Sequence, residues 1–492
     1  MSAARERRRD PSVPLYEDLA RRFAEAIEAG VLRPGDRLPS VRALRVQERL
    51  STATVMQALA RLELLGLVEA RPRSGTFVRG RTRLPAPAPS RPVSRPRPVT
   101  VAPLVARILA AGRDPRLVPL GFVAPAPILV PARALARAMA AVMRADVDAS
   151  LRYDLPPGFG PLRREIARRA LSWGLSVDPD DVVVTTGASE AIYLALRAVT
   201  RPGDVVAIES PAYYGTLQAL DSLGLRALEV PCRATGLDLD ALEALLAREK
   251  VAAVLAVPNF SNPTGSLMPD GAKRRLARLL AERGIPLVED DIYGDLAFDG
   301  GRPPAVRAFD RDGLVLTCGS FSKTLAPGWR VGWVLPGRFR EQVLLQKFAL
   351  NVATSGAPQR AIARFLESGA YDRHLRRLRA ALQVSMERMT AAVQAGFPAG
   401  TRLSRPAGGY VLWVELPGGV DALELHARAL GAGVAIAPGQ VFGARGGYDR
   451  FVRLSYASPW DDRIERGVLA VGRIAAQLAA RGVERAPQLQ TS

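Results

Sequence analysis

The chain has 492 residues, 48% hydrophobic and 24% charged, with a net charge of +20, which allows two or three domains with cores of their own. Its longest uncharged run, 251–269, is broken by Pro258, Pro263 and Pro269, so no segment reads as membrane-spanning, and an arginine-rich start without an apolar stretch argues against a secretory signal. The two cysteines (Cys232, Cys318) and two histidines (His374, His426) form no metal, redox or triad spacing, which leaves a metal-free protein of the cytoplasm as the expectation.

Charge is unevenly spread. Residues 1–100 hold 20 arginines against 10 acids, a balance of +10, which leaves +10 for the other 392 residues. That asymmetry points to an N-terminal part that faces nucleic acid. Residues 14–29 predict an amphipathic helix, with Leu19, Phe23 and Ile27 recurring at i+4 and Gly30 as its stop. After the turn L-R-P-G-D-R-L-P-S, Ser40 can cap a second helix over 41–49. Ser51 can cap a third that runs to Leu65. Its buried stripe is Val55, Leu59 and Leu62, which leaves Thr52, Ala53, Met56 and Gln57 on another face. The stretch 67–78 reads as two short strands about a Pro/Gly turn. Three helices and a basic hairpin predict a winged helix-turn-helix that offers its third helix to the major groove.

The runs P-L-Y-E-D-L-A (14–20), P-G-D-R-L-P-S-V-R-A-L (34–44) and G-L-V-E-A-R-P-R-S-G-T-F-V (66–78) resemble the DNA-binding domain of the GntR family. The resemblance gives residues 1–78 to that domain. It implies that Arg42 contacts phosphate and that Ser51, Thr52, Thr54 and Gln57 belong to the recognition surface. It also implies a wing of Arg71, Arg73 and Gly75 that reaches the minor groove. Thr52 and Met56 stand where this family often carries arginines, so no operator sequence follows. Beyond the wing, Arg79, Arg81, Arg83, Arg91, Arg95 and Arg97 alternate with six prolines and no acid up to residue 100. An extended, semi-rigid linker over 79–103 is expected.

From 104 to 485 the pattern is α/β. Apolar strand candidates at 182–185, 204–208, 252–257, 286–289 and 314–318 alternate with helical stretches at 188–199, 238–248 and 270–283. This predicts a mostly parallel sheet covered by helices, over about 150–340. A smaller α+β part, about 345–485, follows with strands near 411–415 and 452–456.

Within this part S-F-S-K-T-L-A-P-G-W-R (320–330) stands out, because the chain has four lysines, at 250, 273, 323 and 347, against 64 arginines. A lysine can be desolvated to a neutral, nucleophilic amine; a guanidinium cannot. Lys323 follows an apolar strand and lies among hydroxyls and Arg330. Other strand-end motifs join it. T-T-G-A-S-E (185–190) opens a helix on a glycine turn, suited to phosphate. P-A-Y-Y-G (211–215) supplies Tyr213 to stack on a flat ring. P-N-F-S-N-P-T-G (258–265) holds an asparagine between turn-forming prolines. E-D-D-I-Y-G (289–294) offers Asp290 for a protonated ring nitrogen and Tyr293 for an oxyanion. Arg453 interrupts an apolar strand, where a buried guanidinium calls for a carboxylate.

Together these motifs resemble the fold-type-I aminotransferases, especially the aminoadipate/kynurenine-like branch, over about 115–480. The resemblance implies pyridoxal 5'-phosphate as cofactor, with Lys323 as the catalytic residue that forms the Schiff base. Asp290 would pair with the pyridine nitrogen, Asn262 and Tyr293 would hold the ring hydroxyl, and Tyr213 would stack on the ring. Ala188, Ser189, Ser320, Ser322 and Arg330 would hold the phosphate, and Arg453 the substrate carboxylate. Tyr153, in Y-D-L-P-P-G, would reach the neighbouring subunit's phosphate, which implies a homodimer. A GntR-type reader ahead of such a domain resembles the MocR subfamily of transcription regulators. The expected function is regulation of operator DNA by an amino acid or amine. A working aminotransferase with an accessory DNA-binding domain is the alternative, and a coenzyme sensor without an amino ligand is disfavoured by Arg453.

Overall fold

A computed structural model describes residues 14–71, 74–79, 84–100, 104–106, 108, 114–299 and 301–485. The chain divides into two compact units, the first built on residues up to Leu84 together with Thr390–Ala395 and the second on Pro85–Met389 and the chain from Gly396 onward.

The first unit has helices Leu15–Glu28, Val41–Glu48 and Thr52–Leu64, then an antiparallel hairpin of Val68–Arg71 with Gly75–Val78. Both predicted caps form: Ser40 Oγ accepts the Ala43 N–H at 3.2 Å and Ser51 Oγ the Thr54 N–H at 3.1 Å. Each satisfies a helix-end donor and contributes about 1 kcal/mol. The stripes converge on one core of Leu19, Leu44, Val55, Leu59, Leu62 and Val68. Burying each such side chain stabilises the unit by about 1.5–3 kcal/mol.

The second unit is organised by an eight-stranded sheet. Its order is Val183–Thr185, Gly332–Leu335, Val315–Ser320, Leu287–Asp290, Ala253–Ala256, Val205–Ser210, Arg226–Arg233, Gly236–Leu237. Five strands, from Val315–Ser320 to Arg226–Arg233, pair in parallel; Gly332–Leu335 runs antiparallel to both its neighbours, and Gly236–Leu237 antiparallel at the edge. Interior strands such as Ala253–Ala256 and Gly332–Leu335 are buried on both faces, hence their unbroken apolar runs. A four-stranded sheet, in which Val411–Glu415 pairs antiparallel with Phe451–Ser455, forms the smaller part with helices Ala370–Gly396 and Asp462–Arg485.

Much of the segment expected to be an extended, semi-rigid linker belongs to the second unit. Arg97 exchanges backbone hydrogen bonds with Ala227 in both directions, Ser90 Oγ accepts the Cys232 N–H, and Ser94 Oγ donates to the Glu229 carbonyl. The segment thus runs antiparallel along the strand Arg226–Arg233 and satisfies edge groups that would otherwise face water. It also touches the smaller part. Ala88 N–H donates to Glu415, and the Pro85 carbonyl accepts from Leu403 N–H. Composition hid this docking because backbone pairing needs no apolar side chain. Arg81 and Arg83 lie outside the described residues.

Candidate functional site

Loops at the ends of strands Val183–Thr185, Val205–Ser210, Ala253–Ala256, Leu287–Asp290 and Val315–Ser320 converge on a cavity of about 280 Å³. Ala188, Ser189, Tyr213, Asn262, Asp290, Tyr293, Ser322, Lys323 and Arg330 all line it, so nine of the positions singled out from sequence meet in one place.

At one end lies a cup. Gly187 has φ +82°, and a Cβ there would collide with the Arg330 guanidinium, so only glycine lets the loop and the arginine come together. Arg330 Nη1 donates to Ser322 Oγ at 3.0 Å and Nη2 to the Thr186 carbonyl at 3.4 Å. The helix Ala188–Val199 starts here with its N–H groups at the cup. Ser320 does not line the cavity. Its hydroxyl donates to the Val331 carbonyl, lies 2.8 Å from Ser322 Oγ and accepts the Ser322 N–H, so it sits one layer behind and orients Ser322. Tyr153 is 78% exposed and takes no part in the cavity of its own chain.

The cup has support that the sequence reading missed. Lys347, buried at 1% exposure, donates to Glu190 Oε2 and to Thr354 Oγ1, both at 2.8 Å. Glu190 Oε2 accepts the Thr186 N–H, and Asn351 donates to the other oxygen. Burial lowers the Lys347 pKa against the pull of Glu190. The lysine therefore compensates a carboxylate that would otherwise put a buried negative charge beside an anion cup. One of four lysines among 64 arginines was a signal, but its partner lies 157 residues away. Lys347→Met should raise the dissociation constant for pyridoxal phosphate by about tenfold or more, the factor that 1.4 kcal/mol gives. Glu190→Gln added to it should recover most of that loss. An absorbance titration checks both; unchanged affinity in the single variant contradicts the support role.

The middle of the cavity is dry and aromatic. Asp290 is buried, its Oδ1 accepting a 3.3 Å bond from Ile292 N–H, and burial pushes its pKa up to about 7, aided by Asp291. A carboxyl held there ionises readily only beside a cation, which suits a protonated ring nitrogen. Asn262 Nδ2 points to Tyr293 Oη at 3.5 Å. The loop that carries Asn262 is fixed by Glu209, whose two oxygens accept the Val257 N–H and the Ser261 hydroxyl, and by Phe260 in the left-handed region at φ 57°. The Tyr213 ring lies beside Gly215, where a Cβ would strike it. Lys323 Nζ donates to the Val123 carbonyl at 2.5 Å. Burial, then the Arg453 charge, lowers its pKa to about 8, against the opposing pull of Asp290.

Arg453 is fully buried in the strand Phe451–Ser455, behind Asn262. Its Nη1 donates to Asn262 Oδ1 at 3.0 Å and its Nη2 to the Gly121 carbonyl at 2.5 Å, while Nε has no partner among the described residues. No acid among the described residues pairs with it, which leaves a desolvated guanidinium suited to a ligand carboxylate.

In the first unit Arg42, Ser51, Thr52 and Gln57 are exposed and Thr54 is half-buried beneath the Ser51 cap. Arg71 is held by Glu69 at 2.7 Å and lies over the Phe77 ring. Gly75, at φ +111°, leaves room for Arg37. Arg73 lies outside the described residues.

Residues 130–471 match the aminotransferase class I and II family, and residues 15–78 match the gntR family of bacterial regulatory proteins. The chain is 39% identical to the uncharacterized HTH-type transcriptional regulator YjiR of Escherichia coli (strain K12), over 93% of this chain and 98% of that protein. It is 32% identical to the HTH-type transcriptional regulator TauR of Rhodobacter capsulatus, over 93% and 96% of the two chains. Among solved structures, the α-aminoadipate aminotransferase LysN of Thermus thermophilus, complexed with N-(5'-phosphopyridoxyl)-L-leucine, aligns with a TM-score of 0.71. The identity is 33%, over 78% of this chain and 100% of that one. The chain therefore belongs to the aminotransferase class I and II family and carries a gntR-family DNA-binding domain ahead of it, the arrangement of the MocR-type transcription regulators.

Proposed function

We propose that this protein is a cytoplasmic transcription regulator that binds operator DNA through its first unit. Its second unit, with pyridoxal phosphate, senses an amino acid or amine. The observation that carries this reading is the union of both domains in one chain, an arrangement that relatives named as regulators match over nearly their full length. When bound, the coenzyme supplies an aldehyde for amines and an electron-withdrawing ring. The cup, the Asp290 carboxyl and the Tyr213 ring fit its phosphate, ring nitrogen and flat face. In this scheme Lys323 is the nucleophile and later the base, Asp290 keeps the ring nitrogen protonated, and Arg453 takes the effector's carboxylate. Ser322 and Arg330 hold phosphate, with Ser320 acting through Ser322.

The scheme has a pH signature. Only the neutral amine of Lys323 is nucleophilic, so capture of coenzyme by the coenzyme-free protein should quicken about tenfold per pH unit below the amine's pKa. The rate should level off above about 8. Because the Asp290 charge raises the lysine's pKa, Asp290→Asn should move that midpoint to lower pH. Stopped-flow absorbance reads both, and a rate flat with pH would exclude Lys323 as the titrating group.

For DNA, log affinity should fall against log salt with a slope of about −0.9 per phosphate contact. Arg42→Ala should weaken all sequences alike and flatten the slope by about 1; a change of base preference at constant slope would refute the phosphate role.

We also infer a homodimer. Leu151, Tyr153 and Leu155 are exposed, as are Leu345, Phe348 and Leu350. The ion pair of Asp154 with Arg360 links the first stretch to the helix that follows the second. Asn351, beside this surface, donates to Thr186 of the cup. A second copy covering this apolar surface would bring Tyr153 toward the partner's phosphate.

The alternative, a working aminotransferase, is favoured by one observation: the lysine, carboxyl and arginine are all in place. A turnover assay with keto-acid acceptors, beside a mobility shift on the protein's own upstream DNA, separates the readings. Regulation predicts a tight, specific shift with little turnover; rapid turnover without specific DNA binding overturns it.

A further inference from the structure

The second unit holds another cavity, of about 340 Å³, beneath the docked residues 86–90. Its remaining walls are the end of the strand Arg226–Arg233, the loop Thr264–Leu267, and smaller-part residues that include Trp413, Tyr448 and Phe451. These walls are built rather than loose. Trp413 stacks on Phe451 with ring centroids 5.2 Å apart. Tyr448 sits in the left-handed region at φ 58° with its hydroxyl 2.6 Å from Ser210 Oγ. The Ser210 carbonyl in turn accepts from Ser90 of the docked segment. The volume falls in the range of small-molecule sites, and the lining is mostly apolar and aromatic with a few hydroxyls.

Charge decides the class of ligand. The charged residues that line the cavity are Arg233 and Arg405, and no carboxylate among the described residues lines it. Asp238 engages Arg233 through Nε. We propose that this cavity binds a small carboxylic acid with an aromatic or branched apolar body, its ring against Trp413 and its carboxylate toward Arg233 and Arg405. This site is separate from the coenzyme cavity but shares its walls. Asn262 lines the coenzyme cavity while Thr264 and Gly265 line this one. Phe451 and Arg453 lie two residues apart on one strand, which places both side chains on the same face. An occupant therefore touches the loop that carries Asn262 and also the segment that leads to the DNA-binding unit.

The test is calorimetric titration of the full chain with phenylacetate and with its neutral isostere phenylacetamide. The acid should bind saturably, one per chain. The amide should bind at least about tenfold more weakly, as expected when a charge-assisted hydrogen bond is lost. Ala88→Trp, which fills the cavity from the docked segment, should abolish binding. Arg405→Ala should weaken it about tenfold if the overpacked variant does not fold. Arg453→Ala should leave it unchanged. Absence of saturable binding, equal binding of acid and amide, or binding lost in Arg453→Ala but kept in Ala88→Trp would each overturn the proposal. The last outcome would place the acid in the coenzyme cavity and leave the regulatory reading intact.

Discussion

Lys323→Ala should leave a colourless protein. On the proposed assignment Lys323 is the one amine positioned to bond the coenzyme covalently, since Lys250, Lys273 and Lys347 do not line the cavity. Its burial and the nearby Arg453 charge lower its pKa to about 8, so a useful fraction is neutral near pH 7.5. Borohydride treatment of the wild type should fix one coenzyme mass on the peptide that contains Lys323, and none on the variant. The cup does not depend on that side chain, so the variant should still bind pyridoxal phosphate reversibly. An adduct on another lysine would refute the assignment outright.

Arg453→Ala should carry the next largest effect. Its guanidinium is fully buried, bonded to Asn262 and Gly121, and unpaired with any acid among the described residues. Truncating one member of a buried, hydrogen-bonded charge pair costs about 2–5 kcal/mol, so affinity for an α-amino acid should fall about 30-fold or more. Affinity for an amine that lacks the carboxylate should change much less, and that contrast separates lost recognition from general damage. Arg453→Lys should not rescue it, because an ammonium cannot reproduce a planar, two-pronged donor. Spectral titration of the coenzyme-loaded protein with an amino acid and its decarboxylated amine reads both. Equal losses would mean that Arg453 acts on the fold rather than on the carboxylate.

What the sequence disclosed depended on whether the physics leaves a mark on side-chain type. The central strands read as unbroken apolar runs because they are buried on both faces. Lys323 was visible because arginine elsewhere carries the charge. The strand Arg226–Arg233 was missed: it lies next to the sheet's edge, and Arg226, Glu229 and Arg233 break its apolar pattern. Gly332–Leu335 is four residues long and lies close after the Lys323 motif, which masked it. The docking of residues 85–100 uses carbonyls, N–H groups and serine hydroxyls, which a proline- and arginine-rich composition does not advertise. The Val123 and Gly121 carbonyls that meet Lys323 and Arg453 are backbone atoms and have no signature at all. Ser320 shows the converse. Its hydroxyl type was right for a phosphate site, but the strand end turns it toward Ser322 and Val331.

On the proposed function a ligand in the second unit governs how the first engages DNA, and an effector can do this only through different affinities for the two DNA-binding states. The most direct test is the affinity of the coenzyme-loaded protein for its own upstream DNA, measured with and without a saturating amino acid. The same pair of measurements is made on Arg453→Ala. Wild-type affinity should change by at least about fivefold, the lower end of usual coupling. In Arg453→Ala, DNA affinity should be normal without amino acid and unchanged on adding it. A wild type whose DNA affinity ignores every amino acid that perturbs the coenzyme spectrum would rule out this coupling.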